Sequence, residues 1–535
     1  MKTLTTLFFT ITFFYSYSQI WNLGTQSCIG GTDVDNIYGS LLLSNGNTLL
    51  YGTSTSGISG DKTEAHIGGD DIWLIALDNN QQIVWQKTIG GLLDDRPAKI
   101  IETIDHKLML ASYSNSLIGG LKTAPNFGST DVWLIKMDLT GTIIWDKTYG
   151  GTLADGVNDI IELPSKNIII TSSSNSDISG NKLSGNIGLE DTWLLKIDQN
   201  GLVLLDKTIG GSNYESGGNL CVTNNSFFYL AVTSFSDISG DKTENSYGYE
   251  DIWVCKIDTN LTILQDKTFG GDNIDSNPLM QLLPNGELFI IGISSSNISG
   301  NKTENSFGNG YEDCWLLKLD ASLTILNQKT IGSNKDDFPK TINQLANNKI
   351  LIGLSSDSDA NVYKSEPKIG NADVWFITID ENFNFLEDKT IGSTSRELLG
   401  GVIETSPYNF TVFTSSTGIN TGNKTCSGSN VAPITWASPT DFWVFNLNTT
   451  LGLSEISSKE SFTLFPNPVI NTFTINSKNT ISSLEISTLD GKMVQQKNVN
   501  EMSSTMDVEL MPSGIYLCKL FLENGETNIV RFVKE

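Results

Sequence analysis

Asp71-Ile72-Trp73-Leu74-Ile75-Ala76-Leu77-Asp78, with Lys87-Thr88-Ile89-Gly90-Gly91 close behind it, decides the fold, because the chain repeats both signatures. An Asp-x-Trp triplet recurs with its tryptophan at 73, 133, 193, 253, 315, 375 and 443. The Lys-Thr pair recurs at 87, 147, 207, 267, 329 and 389, followed by an apolar residue and then Gly-Gly in four copies and Gly-Ser in the last two. The first three tryptophan steps are 60 residues, and the rest are 62, 60 and 68. Self-similarity at a fixed period marks a repeat architecture.

Each unit reads as four strands. In the first, residues 37–44 and 48–56 flank an Asn45-Gly46 turn, 71–78 is the third strand and 83–89 the fourth, with a long loop before the third. Helical periodicity is absent. Four short antiparallel strands per unit make the blade of a β-propeller. The expected fold is therefore all-β: a seven-bladed β-propeller of about 60 residues per blade, then a small β-sandwich. Seven Asp-x-Trp strands are present but only six Lys-Thr strands. Cys28-Ile29-Gly30-Gly31 stands one 60-residue step before Thr88-Ile89-Gly90-Gly91, so residues 21–29 are expected to complete the last blade and close the ring. Closure removes an exposed sheet edge. Trp21 fits this alignment poorly, since it has no counterpart at Trp85 or Trp145.

Net charge is −26 at pH 7 and the pI is about 4.4. Carboxylates repel phosphate backbones and anionic lipid, so no nucleic-acid partner is expected. Cations, basic partners and neutral glycans remain. With two histidines, His-rich metal sites and Ser-His-Asp machinery have little material. Six cysteines are scattered without a Cys-x-x-Cys pair and are expected to be mostly single, half-buried thiols.

Residues 1–18 read as an export signal: Lys2, an apolar run over 4–15, and small Ser16 and Ser18 ahead of a cleavage expected between Ser18 and Gln19. No later stretch reaches 18 apolar residues, so no transmembrane segment is expected. The domains expected are the signal at 1–18, the propeller at 19–448, a linker at 449–461 and a C-terminal domain at 462–535. The propeller itself is expected to be monomeric.

Over residues 28–448 the pattern of Gly-Gly, an acid, an Asn-Gly turn and an Asp-plus-aromatic strand resembles bacterial seven-bladed propeller repeats of exported proteins. The tail carries a second resemblance. Pro466-Asn467-Pro468, then Asp490-Gly491-Lys492, then Gly514-Ile515-Tyr516, then the basic-apolar end at 528–533 stand in the order seen in type A sorting domains of the type IX (Por) secretion system. That resemblance implies recognition by the type IX machinery, passage through the periplasm of a Gram-negative cell, removal of the tail, and display on the cell surface or release.

Carboxylates recur four residues after the second Gly or Ser of each turn: Asp35, Asp95, Asp155, Glu215, Asp275, Asp337 and Glu397. Each opens the first strand of its unit. Together they are expected to ring one channel mouth, either capping backbone N–H groups or facing a cation or basic partner. Asp177-x-Ser179-x-Asn181 and Asp237-x-Ser239-x-Asp241 place oxygens as calcium loops do, but lack the distant Glu. No cofactor and no metal site is expected, calcium being the one ion considered. The last long loop, 418–439, breaks the repeat with Cys426 and Trp436, and departures from a repeat are the better function candidates. The expected function is a non-enzymatic surface or secreted binding or scaffold module for a glycan, protein or cation. The alternatives are an exported carbohydrate-active enzyme, hydrolase or lyase, with paired acids at the channel mouth, and a structural matrix or gliding-associated component.

Overall fold

The structure, a computed structural model, describes residues 19–535 apart from 224–226, 309, 346–347, 418–419, 429–439, 452–461, 489–491 and 524–526. The export signal, with its cleavage residue Ser18, lies outside the described residues, as does nearly all of the linker. Every regular element among the described residues is a β-strand. No helix there is long and apolar enough to cross a membrane. The chain divides into two compact units, one covering Trp21–Thr449 and the other containing Thr450–Glu535.

The first unit contains seven four-stranded sheets. In the first, Asp35–Leu42, Thr48–Ser54, Asp71–Leu77 and Ile83–Ile89 lie side by side in chain order, all antiparallel. Five more sheets repeat this order, with third strands starting at Asp131, Asp191, Asp251, Asp313 and Asp373. The seventh is assembled from both ends of the unit: Glu397–Ser406, Asn409–Ser416 and Asp441–Leu451 are joined at the edge by Gln19–Ile29. The first strand of each sheet touches the first strands of its neighbours, and those of the first and seventh sheets also meet. This arrangement is consistent with a propeller.

The first strands begin two residues earlier than the sequence pattern suggested. Tertiary contact fixes that start: the amide of Asp35 donates to Thr440 O, that of Asp95 to Asp70 O and that of Asp155 to Thr130 O, each ahead of the neighbouring sheet's third strand. Third strands such as Asp71–Leu77 are buried at every position, which is why they read as nearly continuous apolar runs. Their tryptophans pack between sheets. Trp133 of the second sheet sits in one cluster with Leu49, Ile72 and Leu74 of the first. Trp73 sits with Phe413, Phe442 and Val444 of the seventh. The seam between the ends of the repeat array is thus an apolar core like the others.

One expectation is corrected. Cys28 and Cys426 are not separate thiols but form a disulfide across a sequence separation of 398. The closing strand carries Cys28 beside the last long loop, a proximity that sequence spacing hides. Cys255, Cys314 and Cys518 are buried thiols and Cys221 is half-buried. The repeated lysines form ion pairs inside their own repeats, Lys87 with Glu64, Lys329 with Glu304 and Lys389 with Glu366.

The second unit is a five-stranded sheet of Phe462–Phe465, Thr472–Thr488, Met493–Asp507, Gly514–Leu522 and Thr527–Lys534. Thr472–Thr488 is one long strand that bends through register shifts near Ile481. Phe473, Ile475, Leu484, Tyr516, Leu520 and Phe532 belong to its core.

Candidate functional site

Turn chemistry explains where the seven repeated carboxylates go. Each of Asp35, Asp95, Asp155, Glu215, Asp275, Asp337 and Glu397 is fully buried. Each accepts the backbone N–H found four residues earlier, from Gly31, Gly91, Gly151, Gly211, Gly271, Ser333 and Ser393, at 2.6–2.8 Å. Serine hydroxyls add further donors: Ser116 to Asp95 at 2.9 Å, Ser176 to Asp155 at 2.8 Å and Ser234 to Glu215 at 2.8 Å. Burial pushes the Asp337 carboxyl up to about 6, against the pull of Ser356, Lys364 and Ser333. The aspartates of Asp-x-Trp work alike on the long loops, Asp131 Oδ2 accepting from Phe127 N at 2.5 Å and Gly128 N at 3.1 Å. Gly90 leaves room for this: a Cβ there would strike the Asp71 carboxylate.

Facing these acids is a repeated cation that the sequence pattern did not single out. Lys62, Lys122, Lys182, Lys242, Lys302, Lys364 and Lys424 are at most 2% exposed. Lys122 Nζ donates to Ser114 Oγ at 2.8 Å and lies 5.2 Å from the Trp133 ring centroid. Lys364 and Lys424 donate to Ser356 and Ser416 in the same way, at 2.9 and 3.0 Å. Burial pushes the Lys122 and Lys302 ammonium groups down to about 8, while carboxylates such as Asp95 and Asp275 pull the other way. A lysine at one fixed place in every long loop was the available signal.

Among the described residues no group of three or more His, Cys, Asp or Glu could hold a metal ion. In the loops that resembled calcium sites, Asp177 accepts from Ile178 N at 2.9 Å and Asn181 from Gly150 N at 2.8 Å. Ser239 Oγ donates to Asp237 O at 2.9 Å, and Ser246 N donates to Asp237 Oδ1 at 3.2 Å. Cys426 is held in its disulfide, and Trp436 lies outside the described residues.

Chemically distinct side chains instead sit on the first strands, where the repeat varies most. Positions equivalent to Tyr38 hold Ala98, Asn158, Gly218, Pro278, Lys340 and Gly400. Arg96 grips Asp70 through Nη2 at 2.6 Å and Nε at 2.7 Å. Burial, aided by nearby Tyr113, pushes the Tyr38 hydroxyl upward, which keeps it a proton donor. Lys99 pairs with buried Asp159 at 2.5 Å, and Asp159 also accepts from Asn219 Nδ2 and Leu220 N.

In the second unit, Phe465-Pro466 and Asn467-Pro468 are cis peptides, and Asn467 Oδ1 accepts from Val533 N at 2.8 Å. The first sorting motif therefore meets the last strand. Tyr516 OH donates to Pro512 O at 2.9 Å, next to Gly514 at that strand's start. Asp490 and Gly491 lie outside the described residues, and the Lys492 carbonyl accepts from Thr488 N at 3.0 Å.

Residues 463–535 match the family described as the secretion system C-terminal sorting domain. The chain is thus a protein exported to the cell surface or the extracellular space by the type IX route. No curated protein matches it. Similar solved structures include an ulvan lyase of a new polysaccharide lyase family (10% identity, TM-score 0.44, covering 72% of this chain and 93% of that one). Another is a Dyadobacter fermentans protein of unknown function (11% identity, TM-score 0.40, 80% and 99%). A third is a thermostable family-43 glycoside hydrolase (12% identity, TM-score 0.29, 58% and 96%). Likeness at these scores assigns no activity.

Proposed function

We propose that this is an exported binding module: a closed seven-bladed β-propeller whose loop face contacts a glycan or protein, delivered by a C-terminal β-sandwich that engages the type IX machinery. The observation that supports this is the fate of the repeated acids. All seven are buried and bonded to their own turns. The carboxylates that could have paired for catalysis act instead as caps, and the departures from the repeat are left as the distinctive surface. A second possibility, a carbohydrate-active enzyme, draws on the grouping of Tyr38, Tyr113, Arg96 and Asp70, where a tyrosine donor stands near a fixed guanidinium. Incubating the exported chain with an arrayed glycan set, while following both retention and new reducing or unsaturated ends, separates the two. We expect saturable retention without product. Product formation that Tyr38→Phe abolishes would establish the enzyme instead.

A further inference from the structure

The loop face repeats one exposed apolar side chain, at Ile58, Ile118, Ile178, Ile238 and Ile298, and the second sector adds leucines to it. In the first, third, fourth and seventh sectors a hydroxyl pair ties the short loop before a first strand to the long loop beside it: Thr32 with Ser59, Thr152 with Ser179, Ser212 with Ser239 and Thr394 with Thr421, at 2.9–3.3 Å. In the second sector that pair is Leu92 and Gly119, and a Cβ on Gly119 would sit 2.9 Å from Leu92 Cγ. In the first, third, fifth and seventh sectors an amide or carboxylate caps the glycine N–H: Asp61 for Gly30, Asn181 for Gly150, Asn301 for Gly270 and Asn423 for Gly392. The second sector has Leu121 there, and Leu117 where the next two repeats have Asp177 and Asp237. None of these leucines is needed by the fold, since the other copies do without them. Yet Leu92, Leu93, Leu117, Ile118 and Leu121 are 59, 49, 66, 62 and 42% exposed. Leu92, Leu117 and Leu121 stand where other copies are polar and widen the repeated isoleucine position into contiguous exposed apolar surface, which marks a contact surface.

Charge says what covers it. The loops on either side carry exposed Asp33, Asp61 and Asp177. Across residues 30–35, 57–70, 92–95, 117–130, 152–155 and 177–190 the lysines are Lys62, Lys122 and Lys182, and all three are buried. The apolar patch is therefore rimmed by exposed carboxylates, and the one arginine beside these loops, Arg96, is held by Asp70. A second copy of this chain would bring the same acidic frame against it, and anionic lipid would be repelled. We propose that this sector docks a cationic amphipathic segment of another protein, its aliphatic or aromatic side chains on the leucines and its lysines or arginines on the rim. The proposal rests on the loop face being the binding face.

The repeat supplies the test variant. L92T, L117D and L121N together install the residues of the third repeat, Thr152, Asp177 and Asn181. The variant is expected to melt within a few degrees of the parent. The probe is a synthetic amphipathic Leu/Lys peptide, with a Leu/Glu peptide of the same pattern as control, titrated into the full exported chain. We expect the Leu/Lys peptide to bind in a salt-sensitive way, the Leu/Glu peptide not to bind, and the triple variant to lose at least tenfold in affinity. Equal binding by parent and variant would overturn this patch while leaving a binding face elsewhere on the loops. No binding of the Leu/Lys peptide at all would overturn the assigned partner. Self-association of the parent that the variant loses would make the occupant a second copy and overturn the proposal as well.

Discussion

Asp155 shows what one repeated side chain does. Its carboxylate receives Gly151 N–H at 2.7 Å and Ser176 Oγ at 2.8 Å. Asp155→Asn keeps the shape but weakens both bonds, and we expect a loss of about 1 kcal/mol, read as a lower Tm that added calcium does not change. A Tm that climbs with micromolar calcium in the parent, and less in the variant, would show that the acids act together on a cation. The lysines opposite are costlier to remove. Lys302 is buried between Asp275 and Asp313, so Lys302→Met leaves buried carboxylates without their cation and is expected to cost about 3 kcal/mol in a urea melt. An unchanged midpoint would mean that the acids already fold protonated. At this scale the sequence was legible where a residue type was unusual for its place, as with the tryptophans and the carboxylates. It misled where the type is usually exposed, because lysine in a polar loop is read as a solvated side chain.

Among the elements, Gln19–Ile29 has the most distinctive role. It completes the seventh sheet, and Cys28 then ties it to the loop at Cys426. Trp443 Nε1 donates to Gln26 Oε1 at 3.1 Å, a further link across the same seam. Cross-linking positions so far apart in sequence restricts the unfolded chain, and we expect C28S/C426S to lose about 2 to 4 kcal/mol, measured as a lower melting midpoint without reductant. Identical melts of parent and double variant would show that sheet pairing alone holds the seam. The missing seventh Lys-Thr strand and its supply from residues 21–29 could be counted out of the sequence. The disulfide could not, because nothing local to Cys28 or Cys426 distinguishes them from Cys221 or Cys314.

The whole molecule carries a net charge of −26 and a core seeded with acids that resist ionisation. Burial raises Asp131, Asp191, Asp251 and Asp337 to about 6. Between pH 4 and 6 the folded chain therefore holds protons that the unfolded chain has released, so this contribution to stability falls as pH rises through that window. Self-repulsion grows in the same direction. We expect a higher Tm at pH 5 than at pH 7, and a melt that weakens on mild acidification would refute it. Lys122 and Lys302, pushed down to about 8, act oppositely above that pH, adding stability as it rises toward 10. For the sorting domain, we expect deletion of residues 462–535 to abolish surface display in the native host, scored by protease accessibility on intact cells. Normal display would dismiss the tail as the export determinant. The tail was legible because its motifs are ordered and specific. The binding surface was not, because the sequence drew attention to the long loop at 418–439, whereas the apolar break lies in short substitutions inside an otherwise regular repeat.

Edge pairing between Gln19–Ile29 and Asp441–Leu451 also imposes an order on assembly. The stretch that finishes the last sheet is made first and must wait, unpartnered, until some four hundred further residues have emerged. Until then the growing chain is an open arc with a bare flank at each end, and every intermediate shares that defect. Only the arrival of the final repeat lets the two flanks meet. The chain therefore carries its own completion check: a polypeptide cut short anywhere before Asp441 has no way to shut, and Cys28 has no Cys426 to find.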